Sequence, residues 1–508
     1  MRLWDHFQYI TSRCVVSICT FTGLLYGNNC NAGYWIPITI PSNIAEGMCA
    51  PLLLTNGNVL CEGIIGGATG NIWMLTPDAF GGYINGTWSL GQSLQLLNGN
   101  EYLYAPHLHA GAVLPSGDVV FIGGKYNGPG APVWTNQGVY YTVAIHHWSP
   151  LTAPSFFPSQ IGNAQSVVLP NGTLMVASPS NTQAALFNAS TKTWTAAHTQ
   201  GKLDNNSEEG WTLLPNGYVL TIDCGLVNGL PPTTAEYFNY VSGGWTQTGT
   251  TGTSLSNLAG KTGAAILLAN GNVFAIGASG NTAFYNYLTN TWTAGPSLPI
   301  VDGQQLGQSK GTAALLPNGN ILIAASPVSP SGYSAPPVYI FEYDGINFVR
   351  QQDMPISPYT TSANINMLLL PNGEVLVTTG TQSIFVYVPI GISEEWQPHI
   401  TALQTQLTPG TTYPITGVLF NGMSQGAMFG SDYQSATNYP LVRITNGRTN
   451  HVFYCLTSGH SSMAVAAMGV PVHTNFTVPS NIETGNSILE VVANGIPSPP
   501  YNVTISSP

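Results

Sequence analysis

One arrangement of apolar and polar positions returns along this chain: an apolar run, a short turn ending in Asn-Gly or Ser-Gly, and a second apolar run. It reads PLLLTNGNVL from position 51, GAVLPSGDVV from 111, SVVLPNGTLM from 166 and WTLLPNGYVL from 211. It continues as AILLANGNVF from 265, AALLPNGNIL from 313 and MLLLPNGEVL from 367. The seven turn glycines are Gly57, Gly117, Gly172, Gly217, Gly271, Gly319 and Gly373, spaced 45 to 60 residues apart. Asn-Gly supplies the positive φ that a tight hairpin needs between two strands rich in Val, Leu and Ile. Continuous apolar runs of this length predict strands buried on both faces, as in sheets stacked against one another.

A tryptophan marks the expected outer strand of most units: Trp88, Trp148, Trp194, Trp245 and Trp292, with Phe348 in the sixth. Packing between sheets is the first reading of these rings. The seventh unit stops after Tyr387 without an outer strand, and YWIPITIP at 34–41 resembles TWTAGPSLP of the fifth unit. The N-terminal segment is therefore expected to complete the last unit and close a ring, leaving no open sheet edge. From residue 397 the pattern changes to short alternating strands such as TTYPITGVLF, YPLVRITN and ILEVVAN. The expected fold is all-β: a seven-bladed kelch-type β-propeller over 33–396, followed by an immunoglobulin-like β-sandwich over 397–508. Residues 1–32 read as an export signal, with the apolar run CVVSICTFTGLLY and a small-x-small cleavage site before Gly33.

Composition sharpens the picture. Only 6% of residues are charged, and the net charge of −11 arises from 10 basic and 21 acidic side chains. No basic stripe exists to neutralise phosphates, so nucleic acid is excluded as a partner. No segment is long and apolar enough to span a membrane, and a secreted or surface-attached monomer of bacterial export type is expected. Beyond residue 32 the cysteines are Cys49, Cys61, Cys224 and Cys455, in no zinc or haem spacing. Cys49 and Cys61 flank one turn and are read either as a disulfide or as buried thiols.

With the repeat and the C-terminal strands in place, the chain resembles the galactose oxidase and glyoxal oxidase family from Tyr34 to the C-terminus. That resemblance implies a copper-radical site: a Tyr-His pair before the last unit's LLLP run, a second Tyr cross-linked to a Cys, and a His from the C-terminal region. The pair falls here on Ala363 and Asn364, which offer no imidazole and no phenol. No Cys lies between Cys61 and Cys224, and only His460, in LTSGHSSM, matches. No cofactor is therefore expected, copper entering only under the alternative of a divergent oxidase.

Other catalytic signatures are missing: no Gly-x-Ser-x-Gly, no His-Glu-x-x-His, no phosphate loop. Glu208-Glu209 and Glu394-Glu395 are strand neighbours that point to opposite faces. His107 and His109 are read as a metal pair or, as the first reading, as hydrogen-bonded loop histidines. Positions nine or ten before each turn glycine give Met48, His107, Asn163, Glu208, Lys261, Lys310 and Asn364. These should ring the channel mouth. Together with His460 they are the candidate binding residues for a carbohydrate, another small polar ligand or a protein surface. A hydrolase using acids gathered at the mouth is the second alternative.

Overall fold

A computed structural model describes residues 33–506, apart from positions 98, 99, 102, 158, 159, 164, 330, 431 and 432. The expected export signal, 1–32, lies outside the described residues. Six four-stranded antiparallel sheets form blades of a β-propeller. The first is Gly47–Leu53, Val59–Ile64, Ala68–Thr76 and Thr87–Leu90, and the second is Ala110–Val113, Val119–Gly124, Thr135–Thr142 and His147–Leu151. The third to fifth begin at Ser166–Val168, Trp211–Leu213 and Ala265–Leu267 and follow the same meander. The last combines Asn366–Leu369, Val375–Thr378 and Ile384–Val388 with the N-terminal Tyr34–Ile38, which pairs with Ile384–Val388 from the far end of the chain.

The repeat is visible atom by atom at its turns. Leu54 N–H donates to the Asn58 carbonyl and Gly57 N–H donates to the Leu54 carbonyl; the same two bonds recur at Leu114, Leu169, Leu214, Leu268, Leu316 and Leu370. The turn glycines all sit at φ between +82° and +92°. Asparagine has a different job from the one its dipeptide suggested. Its backbone stays at negative φ, and its side-chain oxygen accepts the N–H two residues on, as Asn56 does from Asn58 and Asn318 from Asn320.

The outer-strand tryptophans pack across the sheet on the neighbouring strand's aromatic residue: Tyr141–Trp148, Phe187–Trp194, Phe238–Trp245 and Tyr285–Trp292 have centroids 4.8 to 5.3 Å apart. Cys49 and Cys61 are free buried thiols. Cys49 stands opposite Glu62 in the hairpin register, which leaves Cys61 one residue away and facing the other side of the pleat.

The 312–350 unit has the same four-strand meander, Thr312–Leu315 to Phe348–Arg350, but sits in an eight-stranded sheet. Part of that sheet is a hairpin from far along the chain. Gly426–Phe429 pairs with Thr312–Leu315, and Gln434–Ala436 pairs back on Gly426–Phe429. The hairpin neighbours the inner strands Gly47–Leu53, Ala110–Val113, Ala265–Leu267 and Asn366–Leu369, so it lies among the innermost strands of the propeller. The remaining C-terminal strands form one curled nine-stranded sheet with its own core around Ile415, Phe420, Val442, Phe476 and Leu489. From Gly33 onward the chain is a single compact unit. Among the described residues no helix is long and apolar enough to cross a membrane.

Candidate functional site at the propeller mouth

The inner strand of each unit starts at the end of the sheet remote from its Asn-Gly turn, and four of these starts share an uncommon backbone. Leu108, Asn163, Glu208 and Lys310, each nine residues before its turn glycine, lie at φ between +51° and +67°. A side chain held there costs on the order of 1–3 kcal/mol, and such strain collects at functional sites. Links between neighbouring units hold the conformation: Asn163 N–H donates to the Leu108 carbonyl at 2.8 Å and Lys310 N–H to the Thr262 carbonyl at 2.9 Å.

The side chains from these starts converge. Lys261 Nζ is 2.6 Å from Glu208 Oε1 and Lys310 Nζ is 2.5 Å from Oε2. Asn163 Nδ2 donates to Glu208 Oε1 at 2.9 Å, and Lys310 Nζ donates to Asn163 Oδ1 at 3.3 Å. Burial works to raise the Glu208 carboxyl, but the two ammonium groups outweigh it and hold it below the usual carboxylate range. Glu208 is thus a fixed anion, ill suited to donate a proton. The two lysines share the Glu208 carboxylate beside the Asn163 amide.

The other sequence candidates divide. Asn364 is exposed, and its amide donates to Thr360 Oγ1 at 3.4 Å. Met48 is fully buried against Thr381. His460 is not placed with the lysines: its N–H donates to the Pro115 carbonyl in the second unit's turn, at the opposite end of the strands. Its Nδ1 meets Thr474 Oγ1 at 2.8 Å, its ring stacks on Tyr439, and burial pushes its pKa down to about 3. It lines a polar groove of about 710 Å³ on the turn face with Asp118, Asn171 and Ser458. Among the described residues the C-terminal region delivers Tyr433 to the mouth, from the turn of the inserted hairpin, and its hydroxyl lies 2.6 Å from His107 Nδ1.

His107 and His109 do not extend side by side, because Leu108 between them turns left-handed. They meet on one acid, Glu62. His109 Nε2 bonds Glu62 Oε1, His109 Nδ1 lies 3.0 Å from the Ala110 carbonyl, and His107 Nδ1 is 3.9 Å from Glu62 Oε2. Burial would raise the Glu62 carboxyl, yet the His109 and His107 imidazoles drive it down to about 2. Cys49 Sγ is 3.6 Å from Glu62 Oε2. Behind Glu208 lies a second buried group. Lys202 Nζ is 2.8 Å from Asp204, 3.0 Å from Glu209 and 2.6 Å from Glu236, with Asp223 beside them. That acidic group already holds a cation, the Lys202 ammonium.

Glu62, Lys202 and Glu236 were missed from the sequence. For the two glutamates the signal available was a lone charge within a strand, as in VLCEGI and TAEYFN, where a buried charge must have a partner.

No family model and no curated protein matches this chain. Among solved structures it is similar to a fungal alcohol oxidase of the AA5 family, in complex with copper, at 13% identity and a TM-score of 0.51, over 94% of this chain and 100% of that one. It is also similar to virginiamycin B lyase from Staphylococcus aureus, at 9% identity and a TM-score of 0.46, over 70% of this chain and 100% of that one. The first likeness shows a shared overall fold.

Proposed function

We propose that this chain is an exported binding protein that takes an anionic, hydroxyl-rich small ligand, such as a uronic acid, at the propeller mouth. Its fold reads as a seven-bladed kelch propeller, the 312–350 unit being the sixth blade, with an immunoglobulin-like C-terminal region. The observation that carries the reading is the convergence of Lys261 and Lys310 on Glu208, with Asn163 beside them. Their side chains are 12% and 19% exposed, so both ammonium groups lie at the edge of solvent. A ligand carboxylate can take charge-assisted bonds from them, and its hydroxyls can bond Asn163 and Glu208.

The copper-radical reading fits poorly. The positions where the resemblance puts its Tyr-His pair hold Ala363 and an exposed Asn364 turned to Thr360, so no oxidation step is assigned there. The hydrolase reading is not favoured by the described mouth acids Glu62 and Glu208, whose depressed pKa values suit neither to donate a proton. Titration calorimetry with glucuronate and glucose tests the proposal. Glucuronate should bind and glucose should bind at least tenfold more weakly. Lys261→Ala with Lys310→Ala should remove the preference, since each hydrogen bond to a charged group contributes roughly 1.5–3 kcal/mol. Equal binding of both sugars by wild type and variant would refute it.

A further inference from the structure

We propose that Cys49, Glu62 and His107 form a three-donor site for a borderline divalent cation, zinc foremost, on the side of the mouth reached by Tyr433. This does not rest on the ligand proposed for the lysines.

Three strands bring the donors together. Cys49 lies on Gly47–Leu53, Glu62 stands opposite it on Val59–Ile64, and His107 opens the next unit. One donor atom from each lies within 4.8 Å of the other two. Sγ to Oε2 is 3.6 Å and Nδ1 to Oε2 is 3.9 Å. Tetrahedral zinc, with Zn–S of ~2.3 Å and Zn–N and Zn–O of ~2.0–2.2 Å, sets ligand-to-ligand edges of about 3.3–3.6 Å. Two of the three edges therefore stand within about half an ångström of these values, and the third is bounded by 4.8 Å.

Its surroundings also have the form of a metal site. A ligating carboxylate is usually fixed through its other oxygen by an outer partner. Here His109 takes Glu62 Oε1 and leaves Oε2 facing Cys49 and His107, while the Ala110 carbonyl fixes the His109 ring. The Cys49 thiol and Glu62 are buried, but His107 is 30% exposed in its side chain and opens a path to solvent. On binding, the Cys49 S–H proton is released to solvent as the S–Zn bond forms, and thiolate with carboxylate offset the ion's two charges. The fourth position falls to the Tyr433 oxygen, now 2.6 Å from His107 Nδ1, or to water. Thiolate with imidazole selects zinc over calcium or magnesium. The Asp204–Asp223–Glu236 group offers oxygens only, and Lys202 fills it.

The test is zinc and cobalt titration of the full chain, stripped of metal and kept under a phosphine reductant. One equivalent should bind, and the cobalt form should show tetrahedral d–d bands with an intense thiolate-to-metal charge-transfer band. Cys49→Ser should abolish the charge-transfer band, whereas Cys61→Ser should retain it. His109→Gln, a positioning change, should weaken zinc by roughly 10–100-fold, and His107→Ala by more. His107→Ala also serves if Cys49→Ser fails to fold. Absence of stoichiometric zinc binding, or binding that Cys49→Ser and His107→Ala leave unchanged, would overturn the site.

Discussion

Charge in this protein is scarce, and part of it gathers in buried groups. Lys202 is enclosed by Asp204, Glu209 and Glu236 with Asp223 alongside, one cation among four acids. Burial would lower the lysine, but Glu209, Asp204 and Glu236 raise it, so it stays charged at any ordinary pH. Burial also raises the acids, Asp223 to about 6 and Glu236 to about 7. An acid whose folded pKa exceeds its unfolded value binds more protons when folded, so stability falls as pH rises between those two values. For Glu236 that window runs from its ordinary 4.5 to about 7. Melting temperature should therefore decline across this range, and Glu236→Gln should flatten the decline. Thermal melts at half-unit intervals check it, and an unchanged slope in the variant would place the proton elsewhere.

Elements that local rules determine were legible, and those that distant pairing determines were not. The turn glycines and the leucine three residues before each define a hairpin that needs nothing outside it, so the repeat could be read directly. Closure by the N-terminal strand was readable because 34–41 has the outer-strand pattern and the last unit lacked one. Tyr34–Ile38 pairs along its whole length with Ile384–Val388, and Trp35 Nε1 donates to the Gln352 carbonyl. Deleting residues 33–38 should bare that sheet edge and cost several kcal/mol, a fall in melting temperature on the order of 5 °C or more, or aggregation. Unaltered melting of a soluble, monomeric truncation would contradict the pairing. The inserted hairpin was illegible, since GAMFGSDYQSA has neither alternation nor a strong turn signal, and its partner Thr312–Leu315 lies more than a hundred residues away. That is why His460 stood in the sequence reading where Tyr433 stands in the fold.

At the scale of the whole molecule, the mouth was half legible. The count back from each turn glycine found Asn163, Glu208, Lys261 and Lys310, because a repeat carries equivalent positions to one rim. It did not find Glu62, which reaches the rim from the second strand of a blade, nor Tyr433. A fold shared with a copper alcohol oxidase carries no activity by itself. With Ala363 and Asn364 at the implied ligand positions, the copper-supplied protein should release no peroxide from galactose, glycerol or methylglyoxal in a coupled assay, and sustained turnover would restore the oxidase reading. The binding claim itself meets its most direct test in a crystal structure of the protein with glucuronate. The carboxylate is expected within hydrogen-bonding distance of both Lys261 Nζ and Lys310 Nζ, beside Asn163. Glucuronate seated instead in the turn-face groove near His460, or missing from the mouth at saturating concentration, would contradict it.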